Sequence, residues 1–169
     1  MNTTSNPGPG NIVAIVYSEL IDEGATPVAW YPPGEAISFI DLTNISLKSI
    51  SLLVGDKPDR ARLNDPRFIV DQTNAFAIIP FPDQDTVAIA YMFNYTNGDG
   101  KNVICTVTAT VNAKLRNFLF DKHEDIEKML KFTAFELLKV VMRVKRFKKE
   151  DLVSLLQALH EKLSRLADG

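Results

Sequence analysis

The chain has 169 residues, of which 46% are hydrophobic and 24% charged, with a formal net charge of −2; these are ordinary globular values and exclude a disordered, fibrous or disulfide-framed chain. At this length one core can bury roughly 68 to 70% of the unfolded surface, and the lone cysteine, Cys105, can form neither an internal disulfide nor a zinc cluster. Charge is uneven: residues 1–113 hold 6 basic and 12 acidic side chains and residues 114–169 hold 13 and 9, so the C-terminal part prefers anionic partners.

Residues 1–10, MNTTSNPGPG, read as a flexible tail, and 11–169 as a single domain. The tail has no basic stretch followed by an apolar one, and no later segment has the eighteen or so apolar residues of a membrane span, so the expected location is the cytoplasm. Ile12 to Ile21 is apolar and β-branched, Glu23-Gly24-Ala25-Thr26 supplies a turn, and Pro27-Val28-Ala29-Trp30-Tyr31 resumes an extended run, which together predict a β-hairpin ended by Pro32-Pro33-Gly34. Residues 36–54 carry both periods. A helix is favoured, with Asp41 as N-cap, Gly55 as terminator, and Leu42, Ile45, Ser49, Leu52 and Leu53 on one face. Asp56 to Asp71, with Pro58 and Pro66, reads as a surface connection.

Three further strands are expected at Ala75 to Phe81, Thr86 to Tyr95 and Asn102 to Ala113, the last two joined by a turn at Thr96-Asn97-Gly98-Asp99-Gly100. The final strand alternates Val103, Cys105, Val107, Ala109 and Val111 with Ile104, Thr106, Thr108 and Thr110, which predicts one apolar face over the core and one hydroxylated face. From about Leu115 the period becomes helical, through Ile126, Met129, Leu130, Thr133, Leu137, Val140, Val141 and Val144. Phe132, Phe135, Leu138 and Met142 add a second apolar strip, either covered by a neighbour or open to a partner. Leu152, Leu155, Leu156, Leu159, Leu163 and Leu166 stripe a last helix, the simplest cover for that strip. The order is β-β-α-β-β-β-α-α: an α+β fold with a five-stranded antiparallel sheet and helices packed on it.

No catalytic constellation emerges. Gly98-Asp99-Gly100-Lys101 leads into a strand rather than a phosphate-cradling helix, and Tyr95 and Thr106 stand where a calcium loop needs carboxylates. His123 and His160 lack the i,i+4 partners of a helical metal site, and Cys105 lies mid-strand rather than at an activating helix N-terminus. No cofactor and no metal site is expected, and the chain reads as something other than an enzyme. Arg143, Lys145, Arg146, Lys148 and Lys149 gather five cations around Phe147 between the last helices; they are candidates for an anionic surface such as lipid head groups. A pI near 5.7 argues against nucleic acid. Trp30 reads as a core anchor and Tyr31, alternating to the other face, as a candidate partner-binding residue at the surface.

The element order, the hairpin from Ile12 through Pro27-Val28-Ala29-Trp30-Tyr31-Pro32, the helix ending near Leu52-Leu53-Val54-Gly55-Asp56, and the closing helix pair resemble a longin domain, a relative of the roadblock domains, over about residues 11–167. The resemblance implies a noncatalytic scaffold that homo- or heterodimerises through its first helix and a sheet edge. It also implies a protein partner such as a small GTPase, in a membrane-trafficking type of complex with peripheral contact to a membrane. On that resemblance Ile45, Lys48, Ser49 and Leu52 are candidate contacts. The chain shows no coiled-coil fusion segment after the last helix, which favours an adaptor over a fusion role. Two alternatives stay open: a small-ligand sensor of PAS or GAF type, which would need a cavity, and a small enzyme, which would need a cleft with converging ionisable groups.

Overall fold

A computed structural model describes residues 10–54, 75–143 and 148–169. Within them the strands are β1 (Ile12–Ile21), β2 (Gly24–Tyr31), β3 (Phe76–Phe81), β4 (Thr86–Thr96) and β5 (Asn102–Asn112), and the helices are α1 (Phe39–Val54), α2 (Arg116–Asp121), α3 (His123–Arg143) and α4 (Lys149–Asp168). The five strands form one sheet in the order β2-β1-β5-β4-β3, with every neighbouring pair antiparallel. The expected fold class is what the chain adopts, with short α2 as an addition to the expected element order.

Local chemistry accounts for the boundaries. Ile21 pairs with Gly24, so only Asp22 and Glu23 span the first hairpin, and Gly24 takes φ 116°, which glycine reaches without steric cost. In the β4–β5 connection the Asn97 side-chain carbonyl accepts from the backbone N–H groups of Asp99 and Lys101, both at 3.0 Å. Among the described strands proline occurs at Pro27 in β2 and Pro80 in β3, the two edges, where a missing ladder donor is tolerated.

Three expectations need correction. Ser38, not Asp41, caps α1: its Oγ accepts from the Asp41 N–H at 3.1 Å, which leaves Asp41 in the first turn, where a carboxylate complements the positive helix end. The helix expected from Leu115 is interrupted at Lys122 (φ −111°, ψ 17°), and His123 Nδ1, at 2.8 Å, takes up the Phe120 carbonyl from outside the helical pattern. The apolar strip of Phe132, Phe135 and Met142 is not covered by α4; all three remain exposed, while Leu138 alone is half-buried. The expected terminator Gly55 and connection 56–71 lie outside the described residues.

The sheet is buried on both faces. On one, Ile126, Leu130, Ala134 and Leu137 of α3 and Leu152, Leu156, Leu159 and Leu163 of α4 pack on Ile15, Tyr17, Ile89, Val107 and Ala109. Tyr17, Phe93, Tyr91 and Phe76 stack beneath them at centroid separations of 6.2, 5.8 and 4.7 Å. On the other, Leu42 and Ile45 of α1 pack on Ala14, Val16, Ile79, Phe81, Ala88 and Ala90.

The hydroxylated face of β5 is therefore inside, under α1, rather than toward solvent. Most of the buried hydroxyls there are paired, whereas Thr106 Oγ1 has no partner among the described residues. Thr108 Oγ1 donates to Ser49 Oγ at 2.9 Å, Ser49 Oγ donates to the Ile45 carbonyl at 2.6 Å, and Ser18 and Ser46 share a 2.7 Å bond between their hydroxyls. Replacing Ser49 by alanine deprives the Thr108 hydroxyl of its acceptor at a site with no solvent access, at a cost of about 1–3 kcal/mol. Adding Thr108→Val should recover much of that loss; urea unfolding of the two single variants and the double variant measures the coupling.

Candidate functional site

The rotation of α1 on the sheet decides which of its residues can meet a partner. Leu42, Ile45, Ser46, Ser49 and Ile50 point inward. Ile45 and Ser49 thus leave the candidate surface: the first is a core side chain and the second is committed to Thr108 and to its own helix. Lys48 and Leu52 are exposed, Leu52 by 58%, so Leu52 is off the inward face on which the apolar pattern placed it.

Lys48 extends toward the end of β3, its Nζ 5.0 Å from the centroid of the Phe81 ring. Around that pair lies a cleft of about 260 Å³ lined by Asp41, Asn44, Lys48, Phe81, Asp83 and Gln84. Phe39, Ile40 and Leu47, also on α1, are 66%, 73% and 52% exposed. These three and the cleft residues other than Lys48 were not singled out from sequence. Phe39 and Ile40 offered a signal nonetheless, as consecutive large apolar residues at a helix start, of which the stripe through Leu42, Ile45 and Ser49 uses neither.

Tyr31 is half-buried, with its ring edge-on to His160 at 5.0 Å, and His160 Nε2 donates to the Ile12 carbonyl at 2.9 Å. Tyr31 therefore ties β2 to α4 rather than standing free. Trp30 is half-buried, not fully enclosed, with the Lys149 ammonium 3.7 Å above its ring. Lys148 and Lys149 are exposed at the start of α4; Lys145, Arg146 and the side chain of Arg143 lie outside the described residues.

Burial raises the pKa values of the ionisable groups at the edge of the core. Burial pushes the Cys105 thiol well above its usual range, with the nearby Glu19 carboxylate acting in the same sense, whereas a nucleophilic thiol needs its pKa lowered. Tyr17 and Tyr95 are likewise raised, mainly by burial, and both hydroxyls donate to Glu19 Oε1, at 2.6 and 3.1 Å. This cluster satisfies polar groups at the edge of the core. A second cleft of about 300 Å³ lies beside edge strand β3, lined by Phe76, Ala77, Ile78, Ile89, Phe120, His123 and Glu127. Among the described residues no group of three His, Cys, Asp or Glu side chains is placed to hold a metal ion, and no helix is long and apolar enough to cross a membrane.

A five-stranded antiparallel sheet with α1 on one face and a closing helix pair on the other is a longin-like architecture. The longin domain of Lst4 from K. lactis is one solved structure of that kind, superposing with a TM-score of 0.61 over 92% of this chain and 97% of that one at 16% sequence identity. No protein-family model matches the sequence, nor does any curated protein sequence. The likeness resides in backbone topology, and the chain has a longin-like fold.

The two classes of α1 residue are separable by stability. Ile45→Ala, in the core, should cost about 2–4 kcal/mol, whereas Leu52→Ala should change stability by no more than about 0.5 kcal/mol. Denaturant midpoints at unchanged m-value report the difference.

Proposed function

We propose that residues 11–169 act as a noncatalytic protein-interaction module of longin type, an adaptor in a cytoplasmic complex of the membrane-trafficking kind whose protein partner is a small GTPase. The observation that carries this reading is the outer surface of α1. Phe39, Ile40, Leu47 and Leu52 are more than half exposed there, and Lys48 stands beside the cleft at the end of edge strand β3. Large apolar side chains flanked by a polar rim are what a protein interface buries, and an edge strand offers unpaired backbone groups to the same partner. The longin-like fold supports this choice of class.

The same surface would serve homo- or heterodimerisation. Lys48 and Leu52 are the contacts retained from sequence; Arg143, Lys145, Arg146, Lys148 and Lys149 are assigned to an anionic surface on charge alone. Nothing favours the sensor reading: the layers between sheet and helices are filled by the residues of the two cores.

Affinity capture of the tagged protein from a lysate of its own cells, once with a GTP analogue and once with GDP, tests the reading. A small GTPase should be retained in one nucleotide state, and Lys48→Glu should reduce its recovery by about tenfold or more, because charge reversal sets like charges against each other across an interface. Eluates without a reproducible GTPase, or recovery indifferent to Lys48→Glu and Leu47→Asp together, would overturn it.

A further inference from the structure

We propose that the outer face of α3 is a contact surface for anionic lipid bilayers, distinct from the α1 surface and independent of the GTPase reading. The inward residues of the helix, Ile126, Leu130, Thr133, Ala134 and Leu137, are buried. Half a turn away lie Lys128, Lys131, Phe132, Phe135, Lys139 and Met142. Phe132, Phe135 and Met142 are 54%, 58% and 61% exposed, although a helix already anchored by a full apolar stripe needs no further large apolar residues for folding.

The charge around these side chains is mainly positive. Lys139 Nζ lies 4.5 Å from the Phe135 centroid, and Lys162, reaching across from α4, lies 4.5 Å from that of Phe132. Lys131 Nζ is 5.4 Å from the Phe76 ring. Glu136 lies on the flank, within 2.9 Å of Lys139, and the other carboxylates of the helix, Glu124, Asp125 and Glu127, belong to its N-terminal end. From Lys128 to Met142 the outer face is therefore chiefly phenyl, thioether and ammonium groups, with the Glu136 carboxylate held against Lys139 at its edge.

The face suits a bilayer better than a protein. Phe and Met suit either kind of contact, but the lysines ringing them favour an anionic bilayer, since the centre of an interface between proteins is depleted in Lys. Lysine stems can lie along the rings and let the ammonium groups rise to the phosphate layer, while Phe132, Phe135 and Met142 enter the boundary of the acyl chains. Each lysine near an anionic surface contributes about fivefold in partitioning, so Lys128, Lys131, Lys139 and Lys162 together give binding that depends on lipid charge.

Sedimentation of the full chain with vesicles of phosphatidylcholine and phosphatidylserine, against vesicles of phosphatidylcholine alone, tests this. Binding should appear with the mixed vesicles and weaken as salt is raised. Phe132→Ser with Phe135→Ser should lower the partition coefficient by about tenfold or more, and Lys128→Glu with Lys131→Glu by a similar factor. Because all four positions are on the surface, circular dichroism melts should stay at the parent temperature, which separates lost contact from lost fold. Sedimentation indifferent to phosphatidylserine, or unchanged by the phenylalanine substitutions, would overturn the proposal. So would a wild-type chain that ignores vesicles but forms a dimer that those substitutions dissolve, since the face would then be an interface between copies.

Discussion

The hydrogen bond from Thr108 of β5 to Ser49 of α1, together with the Ser18–Ser46 pair beside it, sets the terms for one whole side of the molecule. β5 lies in the middle of the sheet, so its threonines, shielded from solvent, gain most where the covering helix or the neighbouring strand supplies a partner. Ser49 meets Thr108 and the Ala14 carbonyl meets Thr110, while Ser46 is paired with Ser18 of β1; Ser46 and Ser49 both also donate back to carbonyls of their own helix, those of Leu42 and Ile45. A helix whose inward face is chosen by hydroxyl pairing has its rotation fixed more tightly than apolar packing alone would fix it, because hydrogen bonds are directional. The same rotation turns Ile40, Leu47 and Lys48 outward.

The opposite side of the sheet obeys a looser rule. There α3 and α4 lay down leucine, isoleucine and alanine over the aromatic row of Tyr17, Phe93, Tyr91 and Phe76, and apolar burial is indifferent to small rotations. The helices share the width of five strands, so each needs only one stripe for the core. Leu152, Leu156, Leu159 and Leu163 are consumed by the core and cannot also roof the far side of α3. Phe132, Phe135 and Met142 are left outside for that geometric reason.

How far the sequence discloses this arrangement depends on how local the determining physics is. The hairpins are legible because Gly24, Asn97 and Gly100 act within a few residues, and because the prolines, Pro27 and Pro80, point to edge strands. The closing helices are legible from period alone. The rotation of α1 is not: Leu52 fits an apolar face as well as Ile50 does, and only the distant Ser18 and Thr108 decide between them. Likewise Ser38 outcompetes Asp41 as a cap through side-chain geometry, and the break at Lys122 arises where periodicity continues undisturbed. The candidate surface was half visible. Lys48 and Leu52 belong to it, whereas Ile45 and Ser49 share their spacing but serve the core, and Asp83 and Gln84 join only because β3 ends beside α1.

Two unpartnered surfaces on one small fold raise the matter of whether they compete. α1 and α3 pack on opposite faces of the same sheet, and a helix axis stands about 10 Å from the sheet it covers, so the two outer faces point in opposite directions and lie roughly two helix diameters and a sheet apart. A protein seated on α1 and the end of β3 would not touch Phe132 or Lys139. A bilayer beneath α3 would leave Lys48 facing the solvent. The sheet between them is buried on both sides and continuously paired through β1, β5 and β4, with one register shift between Ile12 and Ala14. Such a plate can hold a partner at a fixed height and orientation above a membrane while spending no energy on its own rearrangement, and that is a physical property useful to an adaptor irrespective of which partner it holds.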